Sequence, residues 1–401
     1  MWNGQNRLKQ AWMLLGNRPH LGTAFEDLQE PAPLLADFFD SSWYALNYPD
    51  VAQSGVEPWI HYLDIGAREG RRPGPKLPAR HGGQIVVPAT KPRDRLAFLR
   101  LHLDKSKKVL EIGPAFNPIA PKSEGYRVYT VDNASKAELR ARYDGFPDFN
   151  VAKIEDVDFI WKDADILSAI PREHLQSFDV VLMGGVIEHI PNPIGLLQSL
   201  QKLLKPGGYL TLSVPDKRFC FDFLRPPTTT AAWLEALKGG HALHSARTLF
   251  EANTMAAAHR GRLAWAEKKL RTRDATFVGA TIQDAYRDFF GAAQAAYVDA
   301  HAWVFTPSSF LLILNECHAL GLISLVPESI SARIGSDFFV HLRLAFRRPI
   351  NHHERLQLMA NSAREQAAGF CRIRPARAAP LCGLFNRGLG FFARGSDLRD
   401  G

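Results

Sequence analysis

The chain has 401 residues, 46% apolar and 22% charged, with a net charge of +8. That length allows one large domain or two with a sizeable core, in the composition of an ordinary globular protein. No apolar run is long enough to span a bilayer. Residues 347–401 hold ten Arg and four acids, so the excess charge is a property of the tail and gives little support to a nucleic-acid-binding core. The four cysteines, Cys220, Cys317, Cys371 and Cys382, form no close pairs. Neither a zinc site nor a disulfide framework is indicated, and a reducing cytoplasm is the expected location.

In chain order, residues 1–36 read as a weakly structured lead-in. Their apolar piece, in MWNGQNRLKQAWMLLGNRP, is interrupted and lacks a small-residue cleavage site, so no signal peptide is expected. Residues 37–76 carry Phe38, Phe39, Trp43, Tyr44, Trp59, Tyr62 and Leu63, which predicts two or three short packed helices with Gly55 and Gly66 at turns. N-x-P-D-V-A from Asn47 to Ala52, H-Y-L from His61 to Leu63 and G-A-R-E-G-R-x-P from Gly66 to Pro73 resemble a small helical module. That module is found beside enzymes of bacterial surface-polysaccharide synthesis. It points to context and not to chemistry, and His61 reads as a packing residue. Residues 77–93, with Pro78, Pro88, Pro92, Gly82 and Gly83, have linker composition.

Residues 94–346 read as one domain. A helix is expected over 94–103 and strands near 107–112, 126–131, 157–161, 178–183 and 208–214. The helix before the fifth strand is the clearest, with Asn192 as N-cap, Pro193 at its first position and Leu196, Leu197, Leu200, Leu203 and Leu204 on one face. Strand–helix alternation predicts a parallel, doubly wound sheet. Residues 216–304 break the alternation and read as a helical insertion, with helices near 229–238, 245–258, 262–270 and 281–296. Thr306-Pro307 caps a last core helix that stops at Gly321. Strands near 322–327 and 338–346 then suggest an antiparallel edge. In the final segment, 347–401, a helix over 351–368 is followed by a basic tail, 370–401, expected to be poorly ordered.

Open parallel sheets bind ligands outside the carboxyl ends of their strands. The first such end is Gly113-Pro114-Ala115-Phe116, where Gly113 allows close approach of a ligand to the backbone. Asp132 follows the second strand, nineteen positions on, a distance that suits a ribose diol; any strand–turn–strand of an α/β protein gives the same pair. Asp163 and Asp165 lie near the third end. Gly184, Glu188 and His189 follow the fourth, and Asp216, Lys217, Arg218, Asp222 and Arg225 the fifth. Five polar strand ends in succession point to a site.

VLEIGP, Asp132, DADIL, FDVVLMGGVIEHIPNP and LLKPGGYLTLSVP together resemble a class I S-adenosylmethionine-dependent methyltransferase. VPDKRFCFDFLRP and DAHAWVFTPSSF resemble a narrower bacterial subgroup. The resemblance implies a seven-strand sheet with an antiparallel last strand and S-adenosylmethionine as cofactor. Glu111 and Gly113 would line its methionine part, Asp132 its ribose, and Asp165 with Ile166 its adenine, while Gly184 would lie near the sulfonium. Pro114 departs from the usual glycine-rich loop, offers no N–H and fixes its φ, which puts any role of Ala115 or Phe116 in doubt.

A hydroxyl acceptor needs a base or a metal. His189 and Asp216 are the candidate catalytic residues, although His189 also suits local packing and Asp216 could simply pair with Lys217 or Arg218. Arg218, Arg225 and His301 are candidate acceptor contacts, the two arginines alternatively pairing with Asp216 and Asp222. His241-x-x-His244 is too weak to indicate a metal without a third ligand, and no metal is expected. The expected activity is methylation of a sugar hydroxyl or of another group on a surface glycan or its precursor, with glycan-synthesis enzymes as partners and no nucleic acid. The rivals are an RNA or protein methyltransferase and a non-catalytic cofactor-binding scaffold. The C-terminal tail could touch a membrane surface weakly.

Overall fold

A computed structural model describes residues 34–76, 89–90, 94–146, 149–240, 242–265, 274–291, 296–347 and 349–369. The lead-in before Leu34, most of the linker, His241, Cys371, Cys382 and the basic tail lie outside the described residues.

The N-terminal module forms short helices, α1 (Ser41–Asn47), α2 (Pro49–Ser54) and α3 (Pro58–His61), the last running on through a π-helical turn (Tyr62–Gly66) into a final helical turn, Ala67–Glu69. Asp40 caps α1 by accepting from the Trp43 N–H, and Gly55 ends α2 at φ +67°. Gly66 is needed for space and not for a turn: its φ is −60°, and a Cβ there would overlap the Tyr44 hydroxyl. His61 is buried, with Nδ1 3.2 Å from that hydroxyl, in the packing role expected of it. Tyr44, Trp59, Tyr62 and Leu63 belong to the same hydrophobic core as the main sheet. Lys202–Asp64 (2.7 Å) and Gln176–Glu57 (2.6 Å) pin the module's outer edge.

The main sheet has eight strands: β1 (Ala89–Thr90), β2 (Val109–Ile112), β3 (Val128–Asp132), β4 (Phe159–Ile160), β5 (Phe178–Gly184) and β6 (Leu204–Pro215), then, after a separate hairpin of β7 (Ala257–His259) and β8 (Ala275–Phe277), β9 (Leu325–Ser331) and β10 (Asp337–Leu344). Their order is β1-β9-β10-β6-β5-β2-β3-β4. β10 runs antiparallel to both neighbours and the other pairings are parallel. The expected seven-strand sheet with an antiparallel last strand is therefore present, widened by the two-residue β1. β2 is buried at all four positions, as a central parallel strand must be.

The helices of the main domain begin with α4 (Arg95–Leu99) and α5 (Lys136–Tyr143), followed by α6 (Pro193–Leu203). Asn192 caps α6 by accepting from the Gly195 N–H, as predicted. Leu196, Leu197, Leu200 and Leu203 are buried on it, each contributing about 1.5–3 kcal/mol. Leu204 is not on its face: it is the C-cap and opens β6. In the insertion, α7 (Thr230–Gly239), α8 (Ala246–Met255) and α9 (Ile282–Phe290) match expected helices. The helix expected from Arg262 is absent over 262–265. There the chain turns back, Trp265 N–H donating to the Phe219 carbonyl and Ala257 N–H to that of Phe221. α10 (Pro307–Ala319) carries the Thr306–Ser309 capping box, and α11 (His352–Gly369) is joined to its start by Ser308–Glu365 (2.8 Å). Among the described residues no helix is long and apolar enough to cross a membrane.

Candidate active site

Adjacency of β5, β2 and β3 brings Gly184, Glu111, Gly113 and Asp132 to neighbouring strand ends. Gly113 sits at φ +64°, and a Cβ there would come 2.8 Å from a Val186 methyl, so glycine is required twice over. Ala115 is also left-handed, at φ +39°, and its N–H donates to Asp132 Oδ2 (3.4 Å), while the Asn133 N–H donates to Oδ1 (2.7 Å). Asp132 thus latches the Gly-Pro-Ala loop in the conformation that a richer glycine content would otherwise permit. Burial raises its carboxyl above the usual range.

Glu111 accepts from the N–H groups of Ile119 (2.5 Å) and Ala120 (3.0 Å), and burial pushes its carboxyl up to about 7. It therefore organises the turn that covers Gly184. Ile119 and the Arg95 guanidinium would both lie near a Cβ at Gly184, at 3.4 and 3.5 Å. Asp165 caps the turn after β4, accepting from the Leu167 N–H (3.0 Å) and the Ser199 hydroxyl (2.8 Å), and Ile166 is buried beneath it.

A second group of polar residues follows β5 and β6. His189 Nδ1 lies 2.8 Å from Asp299, and His301 Nδ1 lies 2.5 Å from Asp222. A carboxylate only accepts, so each imidazole donates from Nδ1 and keeps Nε2 as its acceptor or ligand atom. The two rings meet edge to face, 4.6 Å between centroids. Burial works against the charged form of His189, but Asp299 and Glu188 outweigh it and raise its pKa. The Asp299 carboxyl is held down at about 2, chiefly by its hydrogen bond to His189. Tyr297 donates to the His189 carbonyl (3.2 Å), and Trp303 Nε1 to that of Ile190 (2.6 Å), so the segment 297–303 is fastened to the loop after β5.

His301, expected at the far side of the insertion, therefore stands beside His189. The arginines take the pairing roles. Arg225 is buried, donating to Asp222 (2.8 Å) and to the His301 carbonyl (2.7 Å). Arg218 forks onto Asp216 (Nε–Oδ1 2.8 Å). Asp216 is completely buried, and both its oxygens are committed to Arg218. That geometry suits capping and ion pairing and does not suit the base role expected of Asp216.

Sequence reasoning missed Arg95, Asp299 and the pairing of Asp222 with His301. The D-x-H of DAHAW, two polar residues on alternate positions of an otherwise apolar stretch, was the available signal for part of this.

Residues 88–266 match the family model described as a methyltransferase domain. The chain is 28% identical over 119 residues to the ubiquinone biosynthesis O-methyltransferase of Paracidovorax citrulli (strain AAC00-1), covering 28% of this chain and 45% of that protein. It is 26% identical over 165 residues to the protein of the same name from Yersinia pestis (strain Pestoides F), covering 38% and 59%. The chain thus spans about half the length of these curated relatives. A SAM-dependent methyltransferase from Methanosarcina mazei aligns with 63% of this chain and 99% of its own, at 17% identity and a TM-score of 0.33. Residues 88–266 are thus identified as a methyltransferase domain, and the strand order continues from it through the antiparallel β10.

Proposed function

We propose that this protein transfers a methyl group from S-adenosylmethionine to a hydroxyl of its acceptor. The observation that carries this reading is a pair of imidazoles in contact, each with a carboxylate on Nδ1, His189 in the loop after Gly184 and His301 packed against it. The cofactor fits the strand ends: Gly113 leaves a cradle that a Cβ would fill, and Asp132 keeps lone pairs for a ribose diol after holding Ala115 and Asn133. Arg95 would place positive charge at the methionine carboxylate. Asp165 and Ile166 would flank the adenine, one by hydrogen bonding and the other by apolar contact.

S-adenosylmethionine supplies a methyl group already activated on a sulfonium and leaves as a neutral thioether. This chain's part is alignment and proton removal. The acceptor oxygen gains the carbon while its proton passes to an imidazole Nε2, His189 being the nearer to Gly184 in sequence. Asp299 and Asp222 fix the rings and stabilise the imidazolium formed.

Oxygen as the receiving atom is supported by the O-methyltransferase names of the curated relatives. A sugar hydroxyl on a surface glycan or its precursor is supported by the N-terminal module's resemblance. A phenolic hydroxyl is the second reading, favoured by the same relatives. Incubation with methyl-labelled S-adenosylmethionine and panels of sugar nucleotides, glycans and catechols tests both. Label on a sugar supports the first, label on a phenol the second, and label on neither with intact S-adenosylhomocysteine binding contradicts hydroxyl methylation of these classes.

A further inference from the structure

The cluster after β5 contains more than a proton acceptor needs. Glu188 is 2% exposed, and its Oε2 has no hydrogen-bond partner among the described residues. A buried carboxylate oxygen left unpaired is strongly unfavourable unless something compensates it. One ligand atom each from Glu188, His189 and His301 lies within 4.8 Å of the others, with Glu188 Oε1 4.0 Å from His189 Nε2. Ligands about 2.1 Å from one ion stand roughly 3–4 Å apart, so only small side-chain adjustments separate this arrangement from coordination.

The surroundings fit the same reading. Metal-ligating histidines donate their other ring N–H to a carboxylate or carbonyl, which fixes the tautomer and raises ligand basicity. Here both do, to Asp299 and Asp222. Asp222 is itself fixed by Arg225, whose guanidinium also holds the His301 carbonyl. A lone catalytic histidine would need one such carboxylate, whereas two imidazoles braced towards a single orphaned carboxylate make a ligand set.

We infer that Glu188, His189 and His301 bind one divalent first-row transition-metal ion. Two imidazoles and one carboxylate favour manganese, iron, cobalt or zinc over magnesium or calcium, and they leave coordination positions open. Its role, which rests on the hydroxyl-methylation reading, would be to hold and acidify the acceptor hydroxyl; with both Nε2 atoms on the ion, the metal takes the place of the imidazole base and the hydroxyl proton passes to water.

The test uses untagged, chelator-treated full-length protein. Cobalt(II) chloride is titrated with visible absorption as readout, and S-adenosylhomocysteine by calorimetry on the same samples. We expect one cobalt ion per chain. Glu188→Gln and His301→Asn should each weaken cobalt at least about 100-fold, and Asp222→Asn and Asp299→Asn about 10–100-fold, with S-adenosylhomocysteine affinity preserved as proof of folding. Wild-type protein that binds S-adenosylhomocysteine but takes no cobalt overturns the site, as does cobalt binding indifferent to both ligand substitutions. Methyl transfer that survives chelation in such a protein leaves the methyltransferase reading intact. Cobalt bound with no S-adenosylhomocysteine binding would sink that reading and not the metal site.

Discussion

The two ends of the proposed active site are built differently. The cofactor end, from Val109 to Gly184, is made by consecutive strands of one parallel sheet, and its polar groups are largely held by backbone N–H donors. The acceptor end is made by side chains holding side chains across long stretches of sequence: His189 with Asp299, His301 with Asp222, Arg225 with both. A backbone-built site keeps its shape when one side chain is lost. A network of buried charges does not, because removing one member strands another. The insertion also leaves Phe277, Tyr286 and Phe290 exposed, at 60% or more of their surface, whereas Phe178 and Phe338 of the sheet are fully buried. Cofactor binding and acceptor chemistry should therefore fail independently.

The largest expected effect is on chemistry. His189→Ala removes an imidazole braced by Asp299 and should lower kcat by about 10²–10⁴-fold while leaving S-adenosylhomocysteine affinity unchanged. Turnover and calorimetry on one preparation read both. Equal losses would show that the two ends are not separable.

Arg225→Met sharpens the contrast from the stability side. It leaves buried Asp222 without its cation and the His301 carbonyl without a donor. Breaking a buried pair in this way costs about 3–5 kcal/mol, read as a lower denaturant midpoint. An exposed acceptor-binding arginine would instead change KM with stability untouched.

What could be read from the sequence divides along the same line. Strand positions, Asp132, Gly113, the Asn192-Pro193 start of α6 and the Thr306 cap depend on local pattern, and each lies where local pattern placed it. The acceptor end was misassigned in part because its contacts span 110 residues from His189 to Asp299 and 79 from Asp222 to His301. Nothing in a window of sequence shows that Arg218 is taken up by Asp216, or that Arg95 comes beside Gly184. The helix expected over 262–270 failed over 262–265 because that stretch bonds to Phe219 and lies beside the 257–259 hairpin strand, a tertiary preference that outweighs helix propensity.

A smaller effect concerns the sheet itself. His341 on β10 is buried, accepts or donates at Thr211 (2.9 Å), stacks on Phe98 and stands near His102 and Tyr209, and burial pushes its pKa down to about 3. The unfolded chain then binds the proton more readily than the folded one. Stability is fully present above about pH 6.5 and is lost as pH falls towards 3, by up to about 1.4 kcal/mol per pH unit. His341→Gln should flatten that slope between pH 4 and 6.5 in denaturant titrations. An unchanged slope would assign the acid sensitivity to other groups.

The division between the two ends is tested most directly by titrating S-adenosylhomocysteine into wild-type protein, Asp132→Ala and His189→Ala. Asp132→Ala removes the charged acceptor for a ribose diol and loosens Ala115, so its affinity should fall at least about tenfold, while His189→Ala should match wild type. A folded Asp132→Ala protein that binds as tightly as wild type, or a His189→Ala protein that loses as much as Asp132→Ala, would contradict a cofactor site built on the strand ends alone.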